Sequence, residues 1–375
     1  MDGNADEHDL ERAHYMEVRH AFLEYSNYME KEVQRLQQNI DKLPSQLSSM
    51  LSSATTRRKL EGMKRAIARN QTFLNAVVEF QDKSSPFPLG ADDFITVGPS
   101  KTTARQIDKV NTTLHQMMRD WSVEGAEERK QSYDVVIGEL QRLLPVDSDK
   151  AGDLHVLVPG AGLGRLTMEL VSRGYSTQGN EFSYFMLMVS NFMLNGIGEA
   201  DAYTVSPFVD SRCNTFAVDD MLRCIHVPDI CPSTLLDKPG GSVDFSMSAG
   251  EWLEAYSDQQ AETFDSIVTV FFLDTAPVVV EYIEAISRLL KEGGVWINFG
   301  PLLYHWAQSA PGETDQRFAR SVELTWEEIR HVCVNYGLKI VHEEKREALY
   351  NANRSSLIRT AYTGVLCSAV KTPKK

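Results

Sequence analysis

Apolar residues recur every three or four positions through the first third of the chain, a spacing typical of amphipathic helices. Over residues 7–43 these positions are Tyr15, Val18, Phe22, Tyr25, Met29, Val33, Leu36 and Ile40. This pattern predicts a first helix, and similar patterns predict a second over 57–81 and a helical region over 103–144. Residues 84–100, rich in Pro, Gly and Ser, are typical of a linker.

From residue 155 onward, short β-branched runs alternate with helical patterns. Strands are predicted at 155–158, 175–178, 244–248, 266–273, 295–299, 338–343 and 362–370, with helices ending near 173, 194, 290 and 336. The pair Gly293-Gly294 is interpreted as the stop signal of the third of these helices. The alternation predicts an α/β fold: a Rossmann-like, mostly parallel seven-stranded sheet whose last two strands form an antiparallel edge pair.

These patterns divide the chain into three parts. A helical N-terminal region with its linker covers residues 1–100, a helical segment covers 101–146, and the α/β domain covers 147–375. Residues 195–243 fit no strand–helix unit and are interpreted as an insertion in that domain.

Composition mainly argues against certain partners and locations. The 38 Lys+Arg and 52 Asp+Glu residues give a net charge of −14, which disfavours general binding to nucleic acid. The apolar stretches are too short to cross a bilayer. The acidic start differs from a secretory signal, and five cysteines without framework spacing indicate reduced thiols. We therefore expect an intracellular protein with no nucleic-acid or membrane partner.

Two local clusters suggest binding sites. The second predicted helix carries six basic residues: Arg57, Arg58, Lys59, Lys64, Arg65 and Arg69. They would suit an acidic partner, but in an acidic chain a solvated helix face is favoured. Four potential zinc ligands lie close together: Cys213, Cys224, His226 and Cys231. Because they lack the paired two-to-four-residue spacing of structural zinc sites, we expect no metal.

The loop after the first predicted strand contains Gly160, Gly162 and Gly164, followed by Arg165. Glycines let a backbone approach a ligand where a Cβ atom would collide, and in an open α/β sheet this loop lies where ligands bind. Arg165 occupies the position where the dinucleotide fingerprint requires its third glycine. The pattern G-x-G-x-G is instead that of methyltransferases that bind S-adenosylmethionine, and a tight turn without a ligand is the alternative.

Polar side chains follow four of the predicted strands. Glu181, after the second strand, is placed to accept the two ribose hydroxyls of a nucleoside. Glu251, after the third, is placed to accept the adenine amino group, with Trp252 packing on the ring. Asp274 and His305, after the fourth and fifth, are expected beside the reactive end of the cofactor. The alternatives are a surface acid at Glu181, a loop acid beside an ordinary core tryptophan at Glu251 and Trp252, and a structural role for His305.

Several short strings go beyond a fold pattern. They are KVNTTL at 109–114, RDWS at 119–122, LVPGAGLGRL at 157–166, QGNE at 178–181, SNF at 190–192 and GPLLYH at 300–305. From about residue 10 to the C-terminus the chain resembles the carnosine N-methyltransferase family. The resemblance implies methyl transfer from S-adenosylmethionine to the imidazole of carnosine, giving anserine, or of related His-containing dipeptides. It also favours a homodimer. We expect the protein in the cytoplasm, with the nucleus as a second location.

Site residues carry over by position. The resemblance implies cofactor contacts at Gln116, Arg119, Gly160, Glu181, Glu251, Trp252 and Val270, and substrate contacts at Asp274, His305 and Tyr362. Residues 101–146 would then cover the cofactor. This sequence has Glu251 and Trp252 where the family typically has Asp and Phe, and Val270 where it has Cys. The match around Tyr362 is loose.

Asp274 is the candidate catalytic residue. A carboxylate that accepts the imidazole N–H fixes the tautomer and stabilises the imidazolium formed by methylation, while His305 would orient the substrate. Two alternatives remain open. One is methylation of histidine within a protein chain, with the basic helix as docking surface, and the other is a cofactor-binding module without turnover.

Overall fold

The computed structural model describes residues 3–84, 102–147, 149, 151–236, 243–256, 258–308 and 315–373. The chain forms two compact units, each built from three segments. Unit 1 comprises residues 1–125, 184–232 and 353–359, and unit 2 comprises 126–183, 233–352 and 360–375. This division does not coincide with the predicted boundaries at 100 and 146. The predicted linker lies, from residue 85 onward, outside the described residues.

The chain begins with helices α1 (Gly3–Leu23), α2 (Tyr25–Asp41), α3 (Ser45–Ser48), α4 (Ser53–Ser84), α5 (Ala104–Trp121) and α6 (Ala126–Leu143). There follow β1 (His155–Pro159), α7 (Arg165–Val171), β2 (Ser176–Glu181), α8 (Tyr184–Asn195), β3 (Tyr203–Val205), α9 (Val218–Leu222), β4 (Ile225–Val227), α10 (Pro232–Leu236) and β5 (Phe245–Ala249). The last elements are α11 (Trp252–Ala255), β6 (Phe264–Val270), α12 (Val279–Leu289), β7 (Leu290–Gly300), α13 (Gln316–Arg320), α14 (Trp326–Asn335), β8 (Leu338–Leu349) and β9 (Ala361–Lys371).

Unit 1 is mainly helical and packs around α4. The predicted helix over 7–43 is two helices, because the backbone departs from helical geometry at Glu24 (φ −88°, ψ 0°). The predicted insertion contains an antiparallel pair of strands, β3 and β4. Fully buried Asn70 of α4 accepts a hydrogen bond from Ser206 N (2.7 Å) and donates to Ser206 O (3.0 Å) and to Tyr25 Oη (2.9 Å). This amide therefore joins two helices to the chain that follows β3.

The third segment of unit 1 is held by polar contacts to the second. Arg223 Nη2 donates to Asn353 Oδ1 (3.3 Å), and Leu357 N and Ser356 Oγ both donate to Asn214 O, at 2.8 and 3.1 Å. Residues near the C-terminus thus belong to the N-terminal unit.

The basic and cysteine-rich clusters lie in unit 1. Four of the six basic residues of α4 are exposed, and Arg69 donates to Ser206 Oγ at 2.9 Å. The His226 ring lies 3.2 Å from Thr204 Oγ1, and the Cys231 thiol donates to Ile197 O. Among the described residues, no group of three or more His, Cys, Asp or Glu side chains is arranged to hold a metal ion.

Unit 2 contains a seven-stranded sheet in the order β5-β2-β1-β6-β7-β9-β8. The first five strands in that order are parallel, and β9 is antiparallel to both β7 and β8. The predicted α/β class and the antiparallel edge pair are therefore confirmed. No helix in the described ranges is long and apolar enough to cross a membrane.

Successive side chains of the central strands enter two separate cores. Val156 and Val158 pack with α6 and α7 on one face of the sheet, and Leu157 packs with α12 and α14 on the other. The sheet is thus buried on both faces, as parallel sheets are.

The interpretation of Gly293-Gly294 as a helix stop is wrong. Helix α12 ends at Leu289, where Leu290 turns extended (φ −71°, ψ 139°), and both glycines lie within β7. Gly293 has φ +77°, and the register between β6 and β7 shifts here, so the glycine accommodates an irregularity in the strand.

Candidate active site

The sheet topology of unit 2 collects most of the predicted site residues at one edge. The carboxyl ends of five parallel strands meet there, as does the start of antiparallel β9, because Val365 pairs with Gly300. The predicted residues at this edge are Gly160, Gly162, Glu181, Glu251, Trp252, Val270, Asp274, His305 and Tyr362. Ligands bind at this edge of open α/β sheets.

The glycine loop after β1 has a backbone that few other residues adopt. Gly160, Gly162 and Gly164 have φ values of +65°, +55° and +79°. A Cβ atom at exposed Gly160 would lie 2.6 Å from Cδ2 of Phe272, so glycine is needed there for the loop to pack against that ring. The loop is therefore a tightly turned cradle whose exposed Gly160 leaves backbone atoms accessible to a ligand.

Glu181 joins the end of β2 to this loop. Its Oε2 accepts a hydrogen bond from Gly162 N (2.9 Å), and its Oε1 accepts from Phe182 N (2.9 Å) and Ser183 N (2.8 Å). Burial raises the pKa of Glu181 above its ordinary value, although the three N–H donors act to lower it. The carboxylate thus holds the cradle in shape at the position predicted for ribose binding.

Glu251 and Trp252 begin α11. Glu251 Oε2 accepts from Leu253 N (2.7 Å) and Glu254 N (3.2 Å), and burial raises the pKa of this carboxyl. The Trp252 ring is only 3% exposed and packs edge-on against Phe272 (5.8 Å), while its buried Nε1 has no hydrogen-bond partner among the described residues. The structure places Trp252 in the core beneath the edge, and its packing on adenine stays a prediction.

Asp274 lies in a single turn of 3₁₀ helix after β6 and is 3% exposed. Its Oδ2 accepts from Leu303 N (2.9 Å), and its carbonyl accepts from His305 N (3.0 Å). Burial raises the pKa of Asp274, while the Leu303 N–H and the charge of protonated His305 lower it. The His305 side chain is exposed. The loop after β6 thus carries a buried carboxylate, and the loop after β7, bonded to it through the backbone, carries an accessible imidazole.

Two residues of these loops hold left-handed backbone conformations without being glycine. Phe271, after β6, has φ +51°, and Tyr304 has φ +42°. Such conformations cost on the order of 1–3 kcal/mol each and concentrate at functional sites. Phe271 is fixed by a hydrogen bond from its N to Phe299 O (2.9 Å). The Phe271 ring packs against Tyr362 of β9.

An aromatic trio completes this edge. The ring centroids of Phe271 and Tyr350 are 5.0 Å apart, those of Tyr350 and Tyr362 5.6 Å, and those of Phe271 and Tyr362 6.3 Å. Burial raises the pKa of Tyr362, and the charges of Tyr350 and Asp274 raise it further, which places Tyr362 in the electrostatic field of Asp274. Phe271 and Tyr350 are not among the sequence candidates. The sequence signal that could have indicated the trio is the pair of tyrosines, Tyr350 and Tyr362, at the two ends of the connection between β8 and β9.

The remaining predicted cofactor residues are Val270 at the sheet edge and two residues of unit 1. Val270 ends β6, is partly buried and pairs with Phe299. Gln116 and Arg119 lie on α5 in unit 1, each 7% exposed, and both donate to Asp120, at 2.9 and 3.1 Å. Their contact with a cofactor stays a prediction.

Comparison with protein families supplies a match for most of the chain. The family model described as carnosine N-methyltransferase matches residues 98–373. The carnosine N-methyltransferase of Rattus norvegicus is 37% identical over 96% of this chain and 86% of its own length. That of Schizosaccharomyces pombe is 33% identical over 92% of each chain.

Solved structures give more distant similarities. A S-adenosylmethionine-dependent methyltransferase from Methanosarcina mazei is 16% identical, with a TM-score of 0.37 over 59% of this chain and 93% of its own. Phosphoethanolamine N-methyltransferase 2 of Haemonchus contortus, in complex with S-adenosyl-L-methionine, is 11% identical, with a TM-score of 0.40 over 73% of this chain and 59% of its own.

Proposed function

This chain belongs to the carnosine N-methyltransferase family and is a methyltransferase, and we propose that it transfers a methyl group from S-adenosylmethionine to the imidazole of carnosine, giving anserine. Related dipeptides that contain histidine are further acceptors. The observation that carries the proposal is the buried carboxylate of Asp274 beside the exposed ring of His305 and the aromatic trio.

The edge of the unit 2 sheet fits S-adenosylmethionine. The cradle leaves the backbone of Gly160 exposed, and Glu181 lies at the end of the next strand with its carboxylate accepting hydrogen bonds from three backbone N–H groups. Glu251 accepts backbone hydrogen bonds through Oε2, and Oε1 accepts none from the described residues. Glu181 would hold the ribose and Glu251 the adenine amino group. The bound cofactor supplies an electrophilic methyl group on a sulfonium.

The chain's own residues prepare the acceptor. A neutral imidazole has one N–H and one lone pair, so a group that accepts the N–H decides which nitrogen is nucleophilic. Asp274 can accept that N–H, and in its buried position its charge stabilises the positive charge that develops on the ring. The Phe271, Tyr350 and Tyr362 rings offer faces that attract the same cation. The interaction strengthens towards the transition state, which is the condition for catalysis.

The direct test is incubation of the full chain with isotope-labelled S-adenosylmethionine and carnosine, followed by mass spectrometry of the dipeptide. Label on the imidazole confirms the proposal. Label only on histidine within added proteins would favour a protein-histidine methyltransferase. Binding of S-adenosylmethionine without a labelled product from either acceptor would favour the module without turnover.

His305→Ala is expected to raise KM for carnosine about tenfold, the scale of one hydrogen bond lost to a ligand, with little change in kcat. The reason is that the exposed ring is placed to orient the acceptor while Asp274 carries the charge. Steady-state kinetics at saturating cofactor measure both constants. His331→Ala, at an exposed position of α14, is the control. A loss confined to kcat would contradict the orienting role.

We propose also that two copies associate in the cytoplasm, with the nucleus as a second location. Unit 1 exposes Leu47, Met50 and Leu51 by 50%, 79% and 43%, an apolar surface suited to contact another copy. The cysteines form no disulfide, in keeping with a reducing compartment. Sedimentation velocity should give a dimer that Met50→Glu weakens, and a monomer at all concentrations would overturn it. Fluorescent tagging tests the location.

A further inference from the structure

Arg317 of α13 is fixed over an aromatic ring. Its Cζ lies 4.1 Å from the centroid of the Trp306 ring, the geometry of a cation–π contact. Asp315 takes one side of the guanidinium, with Nη2 to Oδ2 at 2.6 Å and Nε to Oδ1 at 3.0 Å. Nη1 makes no hydrogen bond to any described residue, and the side chain is 44% exposed. The outer edge of the guanidinium is therefore open to a ligand.

Trp306 connects this guanidinium to the catalytic loops. The indole Nε1 donates to Thr275 O at 2.8 Å, so the residue after His305 is hydrogen-bonded to the residue after Asp274. Phe318, next to Arg317, packs edge-on against the same indole at 5.0 Å. Because α13 and both loops share this ring, the Arg317 cation is held at the same edge of the sheet as Asp274.

The charge of Arg317 differs in sign from the acids of the site. Glu181, Glu251 and Asp274 are three carboxyl groups at this edge, and the Arg317 charge acts to lower the pKa of Glu251. In a dipeptide that ends in histidine, only Cβ and Cα separate the imidazole from the terminal carboxylate. An acceptor carboxylate would be repelled by these acids unless a cation stood near the imidazole position.

We propose that Arg317 binds the terminal carboxylate of the dipeptide through Nη1 and the outward N–H of Nη2, and so selects histidine at a free C-terminus. The inference rests on the proposed function. Guanidinium and carboxylate match as a planar, bidentate pair, and Trp306 and Asp315 fix the guanidinium before substrate arrives. Arg317 is a specificity-determining residue, whereas Asp274 is the catalytic one.

The test compares carnosine with its decarboxylated analogue, β-alanyl-histamine, in the wild-type chain and in Arg317→Gln. Wild type is expected to favour carnosine in kcat/KM by about 10- to 100-fold. Arg317→Gln should lower kcat/KM for carnosine by a similar factor, through KM, and leave the analogue unchanged. Arg317→Lys keeps the positive charge but cannot make a bidentate contact with a carboxylate, so its kcat/KM for carnosine should lie between the values of wild type and Arg317→Gln. Arg320→Gln, on the same helix and paired with Glu281, is the matched control and should change neither substrate.

Three outcomes would overturn the inference. Equal use of both compounds by wild type would show that the carboxylate is not recognised, while leaving the proposed function standing. An equal loss for both compounds in Arg317→Gln, or a raised KM for S-adenosylmethionine with the preference intact, would assign Arg317 to folding or to the cofactor. Failure of wild type to methylate either compound would overturn the proposed function itself, and with it the role of Arg317.

Discussion

Asp274→Asn is expected to lower kcat for carnosine about 100-fold or more, the scale for removing a charge that stabilises a transition state, while affinity for S-adenosylmethionine is unchanged. The Asn carbonyl can still accept the hydrogen bond from Leu303 N, so the loop keeps its shape and only the charge is lost. Single-turnover kinetics measure the chemical step, and calorimetry measures cofactor binding. Asp258→Asn, at a side chain that is 97% exposed, is the control.

The same substitution is expected to stabilise the fold at neutral pH. Burial raises the folded pKa of Asp274 above its unfolded value, so folding favours the protonated form. The stability from that protonation is fully present below the unfolded pKa and is lost as pH rises through the folded pKa. Thermal melting should therefore show a higher Tm for Asp274→Asn than for wild type at pH 7 and a smaller difference near pH 3. If Asp274→Asn turned over carnosine at the wild-type rate, the catalytic role assigned to Asp274 would be wrong.

Glu181→Ala is expected to weaken S-adenosylmethionine binding by about 2 kcal/mol, roughly 30-fold, because hydrogen bonds to a charged group are lost. Two effects contribute, since the side chain is placed to bind ribose and also anchors Gly162 N, Phe182 N and Ser183 N. Calorimetry on the folded variant gives the affinity. Glu254→Ala, at an exposed acid near the same edge, is the control. Unchanged affinity in a variant that melts normally would remove Glu181 from the cofactor site.

The α/β architecture was predictable because strand and helix periods differ and the chain alternates between them after residue 155. Features that depend on single residues were harder to predict. The break at Glu24 interrupts a continuous apolar pattern, so periodicity does not show it. The glycine pair at 293–294 carries a helix-stop signal, but the chain had already become extended at Leu290. The short strands β3 and β4 are three residues each, below the length at which alternation is informative.

In the site, predictions that depended on strand ends succeeded in placing residues together. Glu181, Asp274 and His305 share an edge because parallel strands deliver their carboxyl ends to it. The direction in which a side chain points could not be predicted in the same way. The rotation of α11 decides whether Trp252 faces the core or a ligand, and Tyr350 joins Tyr362 only because β8 runs on to Leu349, six residues beyond its predicted end.

The three-segment construction of each unit has a consequence for biosynthesis. Unit 1 takes in residues 353–359, which leave the ribosome after six of the seven strands of the unit 2 sheet, β7 and β8 among them. Strand β9, which lies between β7 and β8, follows later still. Neither unit can be completed during translation of the earlier segments, since domains fold once their chain is present. Both units therefore stay incomplete until residues 353–371 have been synthesised, and until then their apolar helices and strand edges are prone to aggregation.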